Sequence, residues 1–319
     1  GRRGDALDLH AVLLGEERPA LDSLLDAHGL ESTASECNFV FARCEDPIWM
    51  RDALAGMGIL IRAFPGHDVL DDAIRISCPG NPDEFERLEH ALETILDPEA
   101  VLFDLDGVLA DVSKSYRRSI IETAAEFGAE VTHEQIAQMK AAGDANNDWI
   151  VTQRLLADQG IDVDLDAVTE AFERIYQGTE DEPGLRRTET LLFQPERLAA
   201  LGERYRIGIV TGRPRRDAER FLREKGIADC VEATVCMEDA PAKPDPKPVA
   251  LLLEQLGVER AWLVGDTPDD IVAARGTRVL PVGVVAPGDD DSKVVDALTR
   301  AGAARVLDSV ADQLEELLP

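Results

Sequence analysis

The stretch 101-VLFDLDGVLAD-111 decides the fold. Val101-Leu102-Phe103 is an apolar run of the kind that forms a buried parallel strand. Gly107 supplies the turn that ends it. Between run and turn stand two carboxylates two residues apart, Asp104 and Asp106. Unpaired charge at the end of a buried strand is costly, so the pair calls for a chemical partner. The segment reads as the first strand of a domain, although a hundred residues precede it.

Downstream, residues 112 to about 204 offer no convincing strand. They show helical patterns at roughly 113–128, 133–141, 146–159 and 164–177. Strands and helices then alternate. Strands are expected at Ile207–Thr211, Val231–Cys236, Ala261–Val264 and Val279–Val285, and helices at 215–225, 247–257, 268–275 and 308–318. Such alternation predicts an α/β fold with a Rossmann-like, doubly wound parallel sheet. The helical block inserted after the first strand reads as a cap over the strand ends.

Four short segments fall at the ends of these strands, where ligands of an open parallel sheet bind. They are Asp104-x-Asp106-Gly, Thr211-Gly212-Arg213, Lys243-Pro244-Asp245-Pro246, and Gly265-Asp266-Thr267-Pro268-Asp269-Asp270. Singly they are a turn, a helix cap, a rigid loop and an acidic first helical turn suited to the helix dipole. Together, in this order and each behind an apolar strand, they fit phosphoryl transfer. A carboxylate can attack phosphorus and form an aspartyl-phosphate. A second carboxylate can protonate the leaving oxygen and then activate water. A hydroxyl and backbone amides can hold phosphate oxygens, and a lysine can balance charge. Clustered carboxylates repel a dianionic substrate unless a hard cation lies between them, and oxygen ligands with remaining waters suit magnesium.

With these motifs, residues 101–319 resemble the haloacid dehalogenase-like phosphatase superfamily with a helical cap. The resemblance implies Asp104 as nucleophile and Asp106 as general acid/base. It implies Thr211 as the phosphate-binding hydroxyl and Lys243 as the lysine that steadies nucleophile and phosphate. Asp266 matches the magnesium ligand, beside the Asp104 carboxylate and the Asp106 main-chain carbonyl, with Asp270 in an outer position. The acid at 106 points to a phosphatase or phosphomutase, since the dehalogenases and ion-pumping ATPases lack it. Gly212 and Arg213 are candidates for binding anionic groups. In the cap, the polar joint from Lys140 to Trp149 puts Lys140 and Asn147 among the candidate substrate-binding residues.

The residues before 101 form a pattern of their own, helix, strand, helix, strand, strand, helix. Strands are expected at Cys37–Phe41, Ile59–Ile61 and Ala73–Ile76, with helices opening at Pro47 and, capped by Asn81, through Phe85, Leu88, Leu92 and Ile95. The expected core is Phe39, Phe41, Ile59, Ile61, Ile74, Ile76, Leu88 and Leu92. This segment, about 15–96, is similar to the C-terminal small domain of histidinol-phosphate aminotransferases. Arg75 matches that family's substrate-holding arginine. The family is pyridoxal-phosphate-dependent, but residues 1–97 contain no lysine to form a Schiff base. The expected layout is therefore an aminotransferase-like small domain over 1–97. A hydrolase follows over 98–319, its core at 98–111 and 205–319 and its cap at about 112–204.

Bulk properties agree with two domains in 319 residues. No apolar run reaches membrane-spanning length, and the N-terminus shows no secretory pattern. The chain opens on Gly1 rather than Met, so its start is expected to lie upstream. Five scattered cysteines, none spaced C-x-x-C, read as free thiols in a cytoplasmic protein without a zinc site. A net charge of −30 repels nucleic acid and anionic membrane. With six Lys against 27 Arg, it resembles the surfaces of salt-accumulating halophiles, and folding is expected to weaken as salt is lowered. The resulting expectation is a magnesium-dependent phosphatase of a small phosphorylated metabolite, with histidinol phosphate indicated by the fused segment. Phosphoglycolate phosphatase-like or phosphomutase activity, or a non-catalytic binding module, are the alternatives. A homodimer or an aminotransferase partner is the expected assembly.

Overall fold

The structure is a computed structural model that describes residues 13–34, 36–141, 147–180, 182–289 and 291–319. It divides into one unit ending at Pro98 and another running from Glu99 to Leu318.

The first unit is a four-stranded antiparallel sheet in the order β1-β2-β4-β3, with β1 at Glu31–Ser32, β2 at Phe39–Arg43, β3 at Arg62–Ala63 and β4 at Ala73–Ser77. Helices Arg18–Ala27, Pro47–Gly56 and Pro82–Leu96 accompany it. Asn81 caps the last of these, its side-chain oxygen accepting from the N–H groups of Asp83 and Glu84 at 3.0 and 3.2 Å. Two expectations need correction. The strand expected at Ile59–Ile61 lies at Arg62–Ala63, and Leu60 is 88% exposed. The core phase of β2 is shifted by one residue. Val40 and Ala42 are buried, whereas Phe39 and Phe41 are half-buried on the opposite face. There the Arg75 guanidinium lies over the Phe39 ring, 5.3 Å from its centroid. A one-residue change of phase moves a strand's whole side-chain set to the other face. Aromatic bulk is a poor guide here because Arg75 covers the Phe39 ring and Phe41 packs against Phe64, 5.7 Å between ring centroids.

In the second unit six parallel strands run in the order β12-β11-β10-β5-β8-β9. They are β5 at Ala100–Phe103, β8 at Arg206–Val210, β9 at Ala233–Val235, β10 at Ala261–Gly265, β11 at Leu280–Val284 and β12 at Arg305–Leu307. In chain order this is 3-2-1-4-5-6, whose switch point falls between β5 and β10. Every residue of β5, β10 and β11 is buried, which explains their unbroken apolar runs. The register sets Phe103 beside Val264 and Ile209, so the segments after β5, β10 and β8 emerge side by side.

The cap helices lie at Tyr116–Glu126, His133–Ala141, Asp148–Asp158 and Leu165–Gln177. The chain leaves and re-enters the core through a two-stranded stem, β6 at Ala110–Asp111 paired antiparallel with β7 at Thr190–Leu191. The expectation of no strand between 112 and 204 therefore missed β7. The sequence reading also missed the helices Pro195–Gly202 and Asp291–Ala301 and strand β12. No helix among the described residues is long and apolar enough to cross a membrane.

Candidate active site

Asp104 leaves the end of β5 with its N–H bonded to the Val264 carbonyl of β10 at 2.9 Å. The chain then turns tightly. Ala110 O accepts from Gly107 N–H at 2.9 Å, and Leu105 O accepts from Leu109 N–H at 3.0 Å. Gly107 has φ +79°, and a Cβ placed there would collide with the Asp266 carboxylate. Glycine is needed for the conformation and for the space alike. Gly265 serves a similar end at β10, because a Cβ there would overlap the side chain of Asp270. The first motif thus fits against the last where Gly107 meets Asp266.

Asp266 follows β10, and Asp270 lies one helical turn into Pro268–Gly276. One Asp270 oxygen accepts from Thr267 N–H at 3.0 Å and from its hydroxyl at 2.6 Å, a capping box that fixes the helix start. The other oxygen lies 2.5 Å from the Lys243 ammonium. That ammonium is also 2.9 Å from Asp104 and donates to the Val210 carbonyl at 3.1 Å. Lys243 thus ties the ends of β5, β8 and β10 together. Burial works against its charge, but Asp104 and Asp270 outweigh it and hold the ammonium above its ordinary range. Asp104 is pushed up to about 7, first by burial, against the pull of Lys243 and with the repulsion of Asp270 and Asp106.

Carboxylate oxygens of Asp104, Asp266 and Asp270 all lie within 4.8 Å of one another. Three acids around one lysine leave excess negative charge, and the donors are hard oxygens. The set fits a small divalent cation such as magnesium.

Thr211 is buried at the end of β8, its N–H donating to Val235 O at 2.9 Å and its hydroxyl accepting from Arg213 N–H at 3.1 Å. A pocket beside Asp106 is lined by Tyr116, Asn147, Asp148, Trp149, Arg213 and Met237. A neighbouring pocket touches Thr211, Gly212, Asn147 and Lys243. Asn147 caps the cap helix Asp148–Asp158, its side-chain oxygen accepting from Trp149 and Ile150 N–H at 3.0 and 3.3 Å. The side chain of Lys140 lies outside the described residues. The structure therefore brings together Asp104, Asp106, Thr211, Gly212, Arg213, Lys243, Asp266, Asp270 and Asn147.

Sequence reasoning missed Glu189, which pairs with Arg213 behind Asp106, and Ser115 and Tyr176, whose hydroxyls hold Glu189. It also missed the buried pair Arg117–Asp289, at 2.6 Å, which joins the first cap helix to the loop after β11. One acid among 63 carried no local signal.

The family model described as haloacid dehalogenase-like hydrolase matches residues 101–284. A protein of Phytophthora nicotianae named imidazoleglycerol-phosphate dehydratase is 42% identical over 238 residues, which cover 69% of this chain. This chain spans only about half of that protein, 52% of its length. A phosphoglycolate phosphatase of Rhodospirillum rubrum is 30% identical over 67% of this chain and 88% of its own. Among solved structures, a hydrolase from Pseudomonas syringae shares the fold with TM-score 0.54 and 22% identity, covering 69% of this chain and all of that one. A family hydrolase from Deinococcus radiodurans R1, solved with bound phosphate and sodium, gives 0.52 and 23% over 69% and 97%. The doubly wound core, the clustered motifs and the matching family model agree: the chain belongs to the haloacid dehalogenase-like hydrolase family.

Proposed function

We propose that this phosphatase hydrolyses a small imidazole-bearing phosphomonoester of the histidinol phosphate type through an aspartyl-phosphate on Asp104. The observation that carries the catalytic part is the Lys243 ammonium bridging Asp104 and Asp270 at the switch point, with Asp106 two residues on. Asp104 attacks phosphorus, and the P–O bond to the leaving group breaks. The electron pair of that bond takes the proton of the Asp106 carboxyl, and the alcohol departs. Asp106, now a carboxylate, takes a proton from water as its oxygen attacks the phosphoaspartate, which releases phosphate and restores both acids. Thr211 and the Gly212 backbone hold phosphate oxygens, and Lys243 offsets their charge. Asp104, Asp266 and the Asp106 main chain, with Asp270 behind them, would hold magnesium. Its charge offsets repulsion between the phosphate and these carboxylates.

Two features support the substrate class. The pocket beside Asp106 carries Asp148 and Trp149, an acid and an aromatic ring. These suit a cationic, ring-bearing leaving group better than the carboxylate of phosphoglycolate. The dehydratase relative is itself named for an imidazole-bearing phosphate ester. The N-terminal unit, with its aminotransferase-like pattern, is read as an attachment domain without transaminase activity.

Steady-state kinetics with magnesium, comparing histidinol phosphate and 2-phosphoglycolate, test the assignment. A kcat/KM for histidinol phosphate at least ~10-fold higher is expected, an increment of about 1.4 kcal/mol. A preference for phosphoglycolate would reverse the substrate reading.

A further inference from the structure

An arginine one residue beyond a phosphate-binding loop invites a role in gripping phosphate. Arg213 is placed otherwise. Its side chain is only 1% exposed, and its N–H groups reach two carboxylates of the protein itself. Nε and one terminal nitrogen donate to Asp106 Oδ1 at 2.8 and 2.5 Å. The other terminal nitrogen donates to Glu189 Oε2 at 3.1 Å. The guanidinium sits 5.0 Å from the ring centroids of both Tyr116 and Phe221.

Glu189 is equally well held. It is 3% exposed, and its Oε1 accepts from the hydroxyls of Ser115 and Tyr176, each at 2.9 Å. Burial raises its pKa, with Arg213 opposing that rise. Ser115, Tyr116, Tyr176 and Glu189 lie between β6 and β7, whereas Arg213 follows β8. Desolvating a buried guanidinium is costly unless pairing in good geometry offsets it. All three of its nitrogens are engaged by protein carboxylates, so gripping substrate phosphate would draw it away from them.

We propose that Arg213 is a positioning residue for the proton donor. It holds Asp106 by Oδ1 alone, so that Oδ2 is presented to the leaving-group oxygen. Glu189 is the countercharge that keeps the arginine in place. This rests on the reading of Asp106 as proton donor. As the P–O bond breaks, the leaving oxygen keeps the bonding electrons and takes the Asp106 proton, giving the alcohol and an Asp106 carboxylate. A carboxyl free to rotate would donate that proton less often.

Proton donation matters for a poor leaving group and little for a good one, and this gives the test. The rate of leaving-group release in the first turnover, which precedes hydrolysis of the shared phosphoaspartate, is measured at saturating ester with magnesium, together with KM, for glycerol 2-phosphate, an alkyl ester, and for p-nitrophenyl phosphate. Arg213→Met keeps an unbranched stem between the rings. It is expected to lower that rate for the alkyl ester by ~100-fold or more, within the range of general acid catalysis, and to change the aryl ester far less. Glu189→Gln, which keeps the arginine, should show the same selectivity at smaller size. Arg213→Lys should recover part of the loss. Asp106→Asn should share the selectivity, and adding Arg213→Met to it should cost little more. If Arg213→Met and Glu189→Gln depress first-turnover release equally for both esters, or raise KM with that rate unchanged, the positioning role is wrong. If Asp106→Asn shows no leaving-group dependence, the proton-donor reading fails and this proposal fails with it. Selectivity in Asp106→Asn without selectivity in the arginine and glutamate variants overturns the positioning role alone.

Discussion

Lys243 concentrates the argument at the residue scale. One ammonium meets Asp104, Asp270 and the Val210 carbonyl in a buried site. Its removal leaves two buried carboxylates facing each other without their internal cation. Lys243→Met is expected to lower kcat by ~10²-fold or more even with excess magnesium, since a preorganised charge at the phosphoryl group is lost. The same change is expected to destabilise the fold by about 3 kcal/mol, the scale for breaking a buried pair. Kinetics and thermal melts of the purified variant check both, and near-normal turnover would remove Lys243 from the charge-balancing role. Asp104, Thr211 and Asp266 were legible because each sits one step beyond an apolar strand. Glu189 was not, because its partners Ser115, Tyr176 and Arg213 are distant in sequence and meet only when the cap stem closes on the core.

At the scale of elements, strong periodicity and caps made helices readable. Asn81 followed by Pro82, with Phe85, Leu88, Leu92 and Ile95 behind, marked a helix that the structure places at Pro82–Leu96. Asn81→Ala removes the two bonds to Asp83 and Glu84 N–H and should cost ~1 kcal/mol. In a unit of about a hundred residues that lowers its melting temperature by roughly 4–8 °C. Calorimetry of the whole protein would show the shift confined to one transition, and an unchanged profile would mean that the cap contributes nothing. Short elements were harder. β6 and β7 have two residues each, too few for any period, and exist because they pair with each other. The strand expected at Ile59–Ile61 followed hydrophobicity, whereas pairing with β4 selected Arg62 and Ala63. The helix Asp291–Ala301 and strand β12 were passed over because the acidic run before them reads as a loop.

At the scale of the whole molecule, the order of the parallel strands does the decisive work. It brings segments separated by more than 160 residues, Asp104 and Asp266, to one switch point, and the cap stem closes Glu189 and Arg213 behind Asp106. This order follows from alternation of strand and helix, which the sequence shows plainly. The pairing partners follow from right-handed crossovers and the packing of apolar runs, which no single segment reveals. On the proposed mechanism, phosphate passes through Asp104. The direct measurement is acid quench of the Asp106→Asn protein during turnover of p-nitrophenyl phosphate with magnesium, followed by borohydride reduction and peptide mass spectrometry. That variant retains the nucleophile and the aryl ester needs little protonation, so the intermediate should accumulate. Homoserine is expected in place of aspartate at position 104, and at no other acidic residue. Turnover with Asp104 unmodified, or reduction at a different carboxylate, would contradict it.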